Sequence, residues 1–362
     1  MQELSTSPDF GARTFLEYIS LAAREPIYSA AFAWALGEQS PLSLAHRLTV
    51  IAALTGAETM SAQSIIATTE WNDIDLLLTV ATTSGPVYIA IENKIKAAEG
   101  RTQLSVYDQE LAVLQGPVRK VFLTLAGEPA RSGSDWRSAS YSVLSEALRA
   151  QPSPSQYVTD LCCAMDRLVA ASNSVRADGG ELASFAFDDD GASGSSDLAL
   201  YVEEMRLQKV MQRIWMTNLA QMADVQLPWS ISVEETHGQA LLNVEAALQD
   251  HPGYVIGLQL QWRALKVFCA PNPYPRVATT EQHDMVATIL GRIHTALALK
   301  SDMTPTPRRT RGFRSFRVAE LPAGRRLEEW VTVIRPYVKT LMAAFPAVLP
   351  LAGAPVPTFE DE

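Results

Sequence analysis

The chain has 362 residues and a formal net charge of −10, with 47% hydrophobic and 19% charged residues. This composition provides enough apolar side chains for a packed core and excludes a globally disordered chain. The length favours two domains over one. The N-terminal segment lacks the features of a signal peptide and no apolar run reaches about 18 residues, so we expect no membrane span. Three cysteines, two of them adjacent, fit free thiols in a reducing cytoplasm.

The first half of the chain is rich in helical patterns and then becomes mixed. Apolar periodicity predicts the following elements: helices at 15–22, 27–36 and 42–54, strands at 64–70, 74–82 and 87–95, a helix at 101–114, a strand at 120–126, a short extended run SYSVL leading into a helix, and a helix at 157–171. Antiparallel strands followed by a helix and a further strand predict a mixed α/β core with one crossover.

A Gly/Ser/Asp-rich stretch, RADGGELASFAFDDDGASGSSD at 176–197, predicts an exposed linker between domains at 1–175 and 198–362. The second half predicts these elements: a long amphipathic helix at 198–223, strands at 230–234, 240–246 and 255–268, the last broken by a turn near Trp262, and helices at 281–299 and 327–345. We therefore expect a second α+β domain, with a role in recognition, regulation, or contact with a second copy or a partner protein.

Three charged residues stand in apolar strands of the first half: Asp75 in NDIDLLLTV, and Glu92 and Lys94 in PVYIAIENKIKA. Residues i and i+2 of a strand point to the same face about 6.6 Å apart, so Glu92 and Lys94 share one face. Pairing of the two strands would bring Asp75 and Glu92 to one hard cation, for which Mg²⁺ is the natural candidate and Mn²⁺ a substitute. The alternative is a surface ion pair on a half-exposed strand, with Asp75 at a strand end.

The chemistry of such a site follows from its charges. A bound cation lowers the pKa of a water and neutralises a scissile phosphate. Lys94 would orient or help to deprotonate that water, and would stabilise the charge that develops on the phosphorus centre. Charges rarely stand in strands that are covered on both faces unless they have a function, which favours this interpretation over the surface ion pair.

Together with the residues that follow, this trio resembles the PD-(D/E)xK nuclease superfamily, in particular a bacterial branch with an IENK-type strand and a QLxxY helix. The matching residues are Asp75, Glu92-Asn93-Lys94, Gln103-Leu104 and Tyr107. The resemblance covers about residues 25–107 and implies a restriction-endonuclease-like mixed sheet of about four strands flanked by helices. It also implies metal-dependent hydrolysis of DNA phosphodiesters, with Asp75 and Glu92 as ligands and Lys94 as the catalytic lysine, in bacterial or phage-linked defence, restriction or repair.

The resemblance extends to three more residues. It places Gln103 close to the metal or phosphate, and Tyr107, four residues on and so on the same helix face, beside the nucleic acid; the alternative is a pair on the helix surface. Glu25 resembles a helix acid that adds a carboxylate near the metal, but because it precedes Pro26 it is also a candidate helix-start residue. One departure is Asp73, which stands where an arginine is frequent and would be a spare acid on the face of Asp75.

Residues 308–326 hold seven arginines, with Glu320 as the only acidic residue among them. Guanidinium groups bind phosphate, and the interleaved Phe313 and Phe316 are candidates for stacking on bases. The predicted nucleic-acid contacts are Arg308, Arg309, Arg311, Arg314 and Arg317. The alternatives are a solvated strand edge, or a docking site for the acidic residues 188–190.

The leading interpretation is therefore a metal-dependent deoxyribonuclease with an N-terminal catalytic domain. Two other interpretations stay open. One is a nucleic-acid- or protein-binding module that keeps the fold without turnover, and the other is a nuclease that acts on RNA.

Overall fold

The structure is a computed structural model, which describes the following residues: 9–11, 13–19, 24–58, 61–97, 99–100, 102–125, 128–130, 132–133, 135–152, 154–177, 197–222, 229–236, 239–273, 275–299, 305–306, 310–321, 327–345 and 348–349. These residues form two compact units. The first contains the described residues up to 173 together with 197–210, and the second contains 174–177 and those from 211 onward. The predicted linker lies almost wholly outside the described residues, so the predicted domain boundaries stay a prediction.

The first unit is built on a mixed five-stranded sheet in the order β1-β2-β3-β4-β5. Its strands are β1 (Ser64–Trp71), β2 (Ile74–Thr82), β3 (Gly85–Lys94), β4 (Val118–Thr124) and β5 (Trp136–Ser140). The first three pair antiparallel, whereas β3, β4 and β5 pair parallel. The mixed α/β core is confirmed, but the single predicted crossover was wrong, because β3–β4 and β4–β5 are both parallel and each needs a crossover. The SYSVL run was predicted as extended, but only its first serine ends β5 and the rest begins a helix.

A two-residue turn sets the register between β1 and β2. Asn72 and Asp73 connect β1 to β2 with φ values of 47° and 65°, and Trp71 pairs directly with Ile74. Two left-handed residues in a row match the twist of a hairpin. Asp73 therefore lies in a turn, and its predicted place on the strand face beside Asp75 was wrong.

Helices cover both faces of this sheet. The described helices up to residue 204 are α1 (Phe15–Ile19), α2 (Glu25–Leu36), α3 (Leu44–Thr55), α4 (Gln103–Leu111), α5 (Tyr141–Arg149), α6 (Gln156–Ala177) and α7 (Asp197–Glu204). On one face, Leu104 and Tyr107 of α4 pack against Leu77, Ala90 and Phe122. On the other, aromatic rings of α2 and α5 pack together, with Phe32 edge-on to Tyr141. Covering both faces explains why the central strands are almost continuously apolar.

The single helix predicted at 198–223 was wrong, because the chain forms α7 and then α8 (Gln208–Met222). Arg206 adopts a left-handed φ of 49° just after α7, and the N–H of Leu207 bonds to the carbonyl of Val202 at 2.8 Å. This closure is that of a Schellman motif. Its left-handed position normally holds glycine or asparagine, so the arginine gave no sign of a helix end.

The second unit contains a six-stranded antiparallel sheet in the order β10-β9-β8-β7-β11, with β6 also pairing with β7. Its elements after α8 are β6 (Ser230–Thr236), β7 (Gln239–Leu248), β8 (Tyr254–Gln261), β9 (Ala264–Pro271), α9 (Thr280–Ala296), β10 (Arg314–Glu320), α10 (Leu327–Ala344) and β11 (Val348–Leu349). The predicted turn near Trp262 is confirmed, since Gln261 pairs with Ala264 across it. Among the described helices, none combines the length and the apolar character needed to cross a lipid bilayer.

Candidate active site

The site lies where β3 continues beyond the end of its pairing with β2. The pairing of these two strands ends with Leu76 and Ile91, whereas β3 stays paired with β4 as far as Lys94. Beyond that pair, the Asp75 carboxylate accepts the backbone N–H of Asn93 at 2.8 Å. A side chain thus replaces the main-chain partner at the strand end, and the Asp75 carboxylate is fixed next to β3.

Glu92 and Lys94 lie on one face of β3, as the strand period predicts, and contact each other. The Nζ atom of Lys94 is 2.7 Å from Oε1 of Glu92. Glu92 is only 1% exposed, and among the described residues its second oxygen, Oε2, is buried without a hydrogen-bond partner. A buried oxygen without a donor costs free energy, so this atom requires an explanation. A divalent cation would give Oε2 a partner, so these residues fit a metal-binding role.

The two carboxyl groups have strongly shifted pKa values. Burial raises the pKa of Asp75 to about 6, against the lowering effect of the Asn93 N–H and the Lys94 charge. Burial, followed by the charge of Asp75, raises the pKa of Glu92 to about 8. Burial alone would lower the pKa of Lys94, but the charge and hydrogen bond of Glu92 outweigh it and the pKa is raised. Two carboxyl groups that resist ionisation together are the arrangement that a bound cation relieves.

A chain of hydrogen bonds from α4 holds Glu92 in place. The Nε2 atom of Gln103 donates to Oε1 of Glu92 at 2.7 Å and to the hydroxyl of Tyr107 at 2.8 Å. That hydroxyl donates in turn to the backbone carbonyl of Asp73 at 2.8 Å. The structure therefore brings Gln103 to the trio. Tyr107 is only 6% exposed, and its predicted contact with nucleic acid stays a prediction.

Glu25 is the first residue of α2 and also lies near the trio. Its Oε1 atom accepts three backbone N–H groups that follow β3, from Ile95 and Lys96 at 2.7 Å and from Ala97 at 3.0 Å. Its charge contributes to raising the pKa values of Asp75 and Lys94. One carboxylate oxygen is thus engaged by the backbone, and its role as a metal ligand stays a prediction. Among the described residues, no group of three acidic, histidine or cysteine side chains is arranged to hold a metal.

A family model described as the PD-(D/E)XK nuclease superfamily matches residues 14–178. These residues belong to that superfamily. The match includes the whole first sheet with Asp75, Glu92 and Lys94, and it ends before α7. A search of curated proteins and a search of solved structures returned no significant match. The more specific IENK/QLxxY branch stays a prediction.

The superfamily domain contains a further polar residue whose importance the sequence interpretation missed. The side chain of Asn93 points away from Glu92, donating to Oγ of Ser29 at 3.0 Å and to the carbonyl of Glu25 at 3.3 Å. Its Oδ1 accepts the hydroxyl of the fully buried Tyr141 at 2.6 Å. Asn93 therefore joins β3 to α2 and α5 while its backbone N–H holds Asp75. An asparagine inside an apolar strand was the available signal.

The arginine-rich stretch lies in the second unit, outside the matched superfamily domain. Arg308 and Arg309 lie outside the described residues, and Arg311 precedes β10, an edge strand. Arg314 donates to the carbonyl of Thr306 at 3.5 Å. Arg317 is half-exposed and pairs with Glu320. Contact of these arginines with nucleic acid stays a prediction.

The predicted stacking of two phenylalanines on bases was wrong. Phe313 and Phe316 are only 4% and 3% exposed. Phe313 stacks on Phe268 with ring centroids 5.3 Å apart, and Phe316 contacts the ring of His294. Both rings belong to the core of the second unit, and this burial removes them from any nucleic-acid surface.

Proposed function

We propose that the chain is a divalent-metal-dependent nuclease that hydrolyses DNA phosphodiester bonds. Asp75 and Glu92 would bind Mg²⁺ or Mn²⁺, and Lys94 would be the catalytic lysine. The observation that carries the proposal is the buried carboxylate of Glu92. Lys94 and Gln103 hold one of its oxygens, and the other has no hydrogen-bond partner among the described residues.

A cation bound by these carboxylates supplies positive charge to the scissile phosphate and activates water. The raised pKa of Lys94 keeps its ammonium group protonated at neutral pH. We therefore assign to Lys94 the orientation of the attacking water and the stabilisation of the developing negative charge, rather than removal of a proton. Gln103 has a positioning role, because its amide fixes the carboxylate of Glu92.

Other residues and a biological setting complete the proposal. Glu25 would bind the cation through its second carboxylate oxygen. Arginines of the second unit would bind the phosphate backbone of the nucleic acid. A role in bacterial or phage-related defence rests on the superfamily resemblance alone. A cytoplasmic location is supported by three free cysteines, Cys162, Cys163 and Cys269.

Nicking of supercoiled plasmid DNA with Mg²⁺ or Mn²⁺ tests this proposal. We expect Glu92→Ala and Lys94→Ala each to lower the cleavage rate by about 10²- to 10⁴-fold, because each removes a group that contacts the reacting atoms. Lys120→Ala is a matched control, since Lys120 also forms a strand ion pair, with Asp108 at 2.8 Å, but outside the trio. We expect this control to keep its activity.

The outcomes of the assay separate the alternatives. Unchanged cleavage by both Glu92→Ala and Lys94→Ala would show that the proposed site is wrong. A wild-type chain that binds DNA but cleaves neither DNA nor RNA would favour a catalytically silent binding module. Cleavage of RNA in preference to DNA would keep the site and change its substrate.

A further inference from the structure

Three helices of the first unit line a cavity that includes no residue of the proposed active site. The cavity has a volume of about 370 Å³, and its walls come from α1, α2 and α6. Eight residues line it, and all except Asp160 are aromatic or aliphatic. One of them, Trp34, follows Glu25 by nine positions in α2, which is about 14 Å along the helix axis. A ligand in this cavity would therefore lie away from the reacting phosphate.

Aromatic rings from all three helices contribute to the wall of the cavity. They belong to Phe15 of α1, Trp34 of α2 and Tyr157 of α6. The rings of Trp34 and Tyr157 meet edge to face, with centroids 6.1 Å apart and planes at 82°. Rings at nearly a right angle form a corner whose walls are ring faces, and these faces carry the negative part of the aromatic quadrupole. A corner of this kind attracts cations.

Two of these rings are largely open to solvent. Phe15 is 67% exposed and Tyr157 is 69% exposed. A single exposed apolar side chain is common and needs no explanation. These two, however, border the same cavity as the partly buried Trp34. Exposed aromatic rings around one concave site are typical of a surface that binds a ligand.

Asp160 gives the cavity a negative charge. Its Oδ2 atom accepts the backbone N–H of Leu16 at 3.4 Å, which connects α6 to α1. In the described part of the chain, Asp160 has no ion-pair partner, and its Oδ1 atom accepts no hydrogen bond. One carboxylate oxygen is thus not used by the fold. Charge complementarity therefore favours a positively charged occupant.

The walls also determine which kind of cation fits. They offer few acceptor atoms, so a primary ammonium group would lose hydrogen bonds to water that one carboxylate oxygen only partly replaces. A fully alkylated ammonium group has no N–H donors to satisfy, and it contacts ring faces through its methyl groups.

The size of the cavity favours a small molecule over a second copy of the chain. Its volume of about 370 Å³ lies near the lower end of the range for small-molecule pockets, about 300–1,000 Å³. A stable interface between proteins involves about 20–30 residues on each side, far more than the eight that line this cavity.

We propose that this cavity binds a small organic cation with an alkylated ammonium group, for which choline is the probe. The rings of Phe15, Trp34 and Tyr157 contact the methyl groups of the ligand, and the carboxylate of Asp160 balances its charge. The inference goes beyond the proposed nuclease function and does not depend on it, because the site shares no residue with the trio.

The test observes binding directly at Trp34. The full chain is labelled with ¹⁵N and titrated with choline in the absence of nucleic acid and metal, and the indole N–H signals are followed by NMR. The chain has seven tryptophans, and Trp34→Phe identifies the Trp34 signal by its loss. The same titration is made with the neutral analogue of choline, in which a carbon atom replaces the ammonium nitrogen.

Two variants remove the features that recognise the ligand. Asp160→Asn removes the charge but keeps an oxygen acceptor for the N–H of Leu16, and Tyr157→Leu removes an exposed ring. Tyr18→Leu is the matched control, because Tyr18 is 70% exposed in α1 and does not line the cavity.

We expect choline to shift the Trp34 signal with a Kd of about 1 mM, the affinity of an efficient ligand of this size. The neutral analogue should bind at least about 10-fold more weakly, because it has no charge to attract ring faces or Asp160. Asp160→Asn and Tyr157→Leu should each weaken choline binding by about 3- to 5-fold. Tyr18→Leu should match the wild type.

Several results would overturn the proposal. One is an unshifted Trp34 signal at about 10 mM choline. Another is equal affinity for choline and its neutral analogue, which would show an apolar cavity without selectivity for cations. Wild-type affinity in both Asp160→Asn and Tyr157→Leu would place the ligand elsewhere. Binding of a peptide that contains trimethyllysine, but not of choline, would replace the small molecule by a partner protein. Each of these results is independent of whether the chain cleaves DNA.

Discussion

Lys94 and Glu92 form an ion pair in which both side chains are almost removed from water, with side-chain exposures of 12% and 1%. Burying such a pair seldom stabilises a protein, because the loss of hydration offsets the attraction between the charges. The pair is better explained by reactivity. Lys94 keeps its positive charge next to carboxyl groups that resist ionisation. Binding of a cation or a substrate phosphate would change the ionisation of these carboxyl groups.

Tyr107 is expected to act by positioning. Tyr107→Phe removes the hydroxyl that accepts from Gln103 and donates to the Asp73 carbonyl, so Gln103 holds Glu92 less firmly. We expect kcat for cleavage to fall by about 3- to 10-fold, the effect of losing about 1 kcal/mol of hydrogen bonding, with unchanged affinity for DNA. Steady-state kinetics and anisotropy measure the two quantities.

Tyr157→Phe serves as the control for this prediction, because Tyr157 is 69% exposed and lies outside the site. Weaker DNA affinity with unchanged kcat in Tyr107→Phe would contradict the positioning role. That result would instead support direct contact between Tyr107 and nucleic acid.

At the scale of the elements, the start of α2 and the end of β3 are joined by Glu25. One carboxylate oxygen accepts three successive N–H groups, and this bonding satisfies backbone donors that the strand no longer pairs. Lys94 immediately precedes Ile95, whose N–H bonds to Glu25. This connection therefore also fixes the position of the Lys94 backbone.

Two substitutions at Glu25 separate its structural role from metal binding. Glu25→Gln keeps an oxygen acceptor for the three N–H groups, whereas Glu25→Ala removes it. We expect Glu25→Ala to lower the free energy of unfolding by about 1–3 kcal/mol and Glu25→Gln to have a smaller effect. If Glu25 binds the cation, Glu25→Gln should also raise the Mg²⁺ concentration needed for half-maximal cleavage.

Urea denaturation and Mg²⁺ titration of cleavage measure these effects. An unchanged Mg²⁺ requirement in Glu25→Gln would contradict the predicted metal-binding role. Equal destabilisation by both substitutions would contradict the backbone role.

The elements show what the sequence could and could not predict. Alternation along a strand sufficed to place Glu92 and Lys94 on one face, because that period is a local property. The end of α7 was missed because an arginine occupies a position where glycine is usual. The burial of Phe313 and Phe316 was missed because a basic segment resembles an exposed loop until its strand partners are known. Glu25, Asn93 and Tyr141 meet only through tertiary packing.

At the scale of the whole molecule, the beginning of the chain is tied to α6 by a buried ion pair. Arg167 Nε donates to Oε1 of Glu17 at 2.9 Å, and the N–H and hydroxyl of Thr14 donate to Oε2 at 2.8 and 2.9 Å. Burial raises the pKa of Glu17, but the bonds from Arg167 and Thr14 outweigh it, so the pKa lies below the ordinary value of 4.5.

This shift predicts acid sensitivity of the first unit. Because the folded pKa is lowered, the unfolded chain binds the proton more readily, and the stabilisation is fully present above about pH 4.5 and lost as the pH falls through the folded pKa. We expect the unfolding free energy of the wild type to fall more steeply than that of Glu17→Gln between about pH 5 and pH 3. At neutral pH, Glu17→Gln should be less stable by about 3–5 kcal/mol, because the buried Arg167 loses its charged partner.

Urea unfolding measures the free energy of unfolding at each pH. Hydrogen exchange of the α6 amides then assigns the transition to this unit. Ser142→Ala, at a partly buried polar residue in α5 remote from Glu17 in sequence, provides a control that should keep the wild-type pH dependence. Parallel pH profiles for the wild type and Glu17→Gln would contradict the prediction.

The two hairpins of the first sheet have a consequence for how this chain can vary. Two residues connect β1 to β2 and two connect β2 to β3, since Trp71 pairs with Ile74 and Thr82 with Gly85. Adding or deleting one residue in the second turn would shift the register and turn either Asp75 or Glu92 to the other face. The turns should therefore accept many amino-acid exchanges but few changes of length. Among variants of this chain, the number of residues between Asp75 and Glu92 would therefore distinguish active from inactive proteins better than the identity of the turn residues.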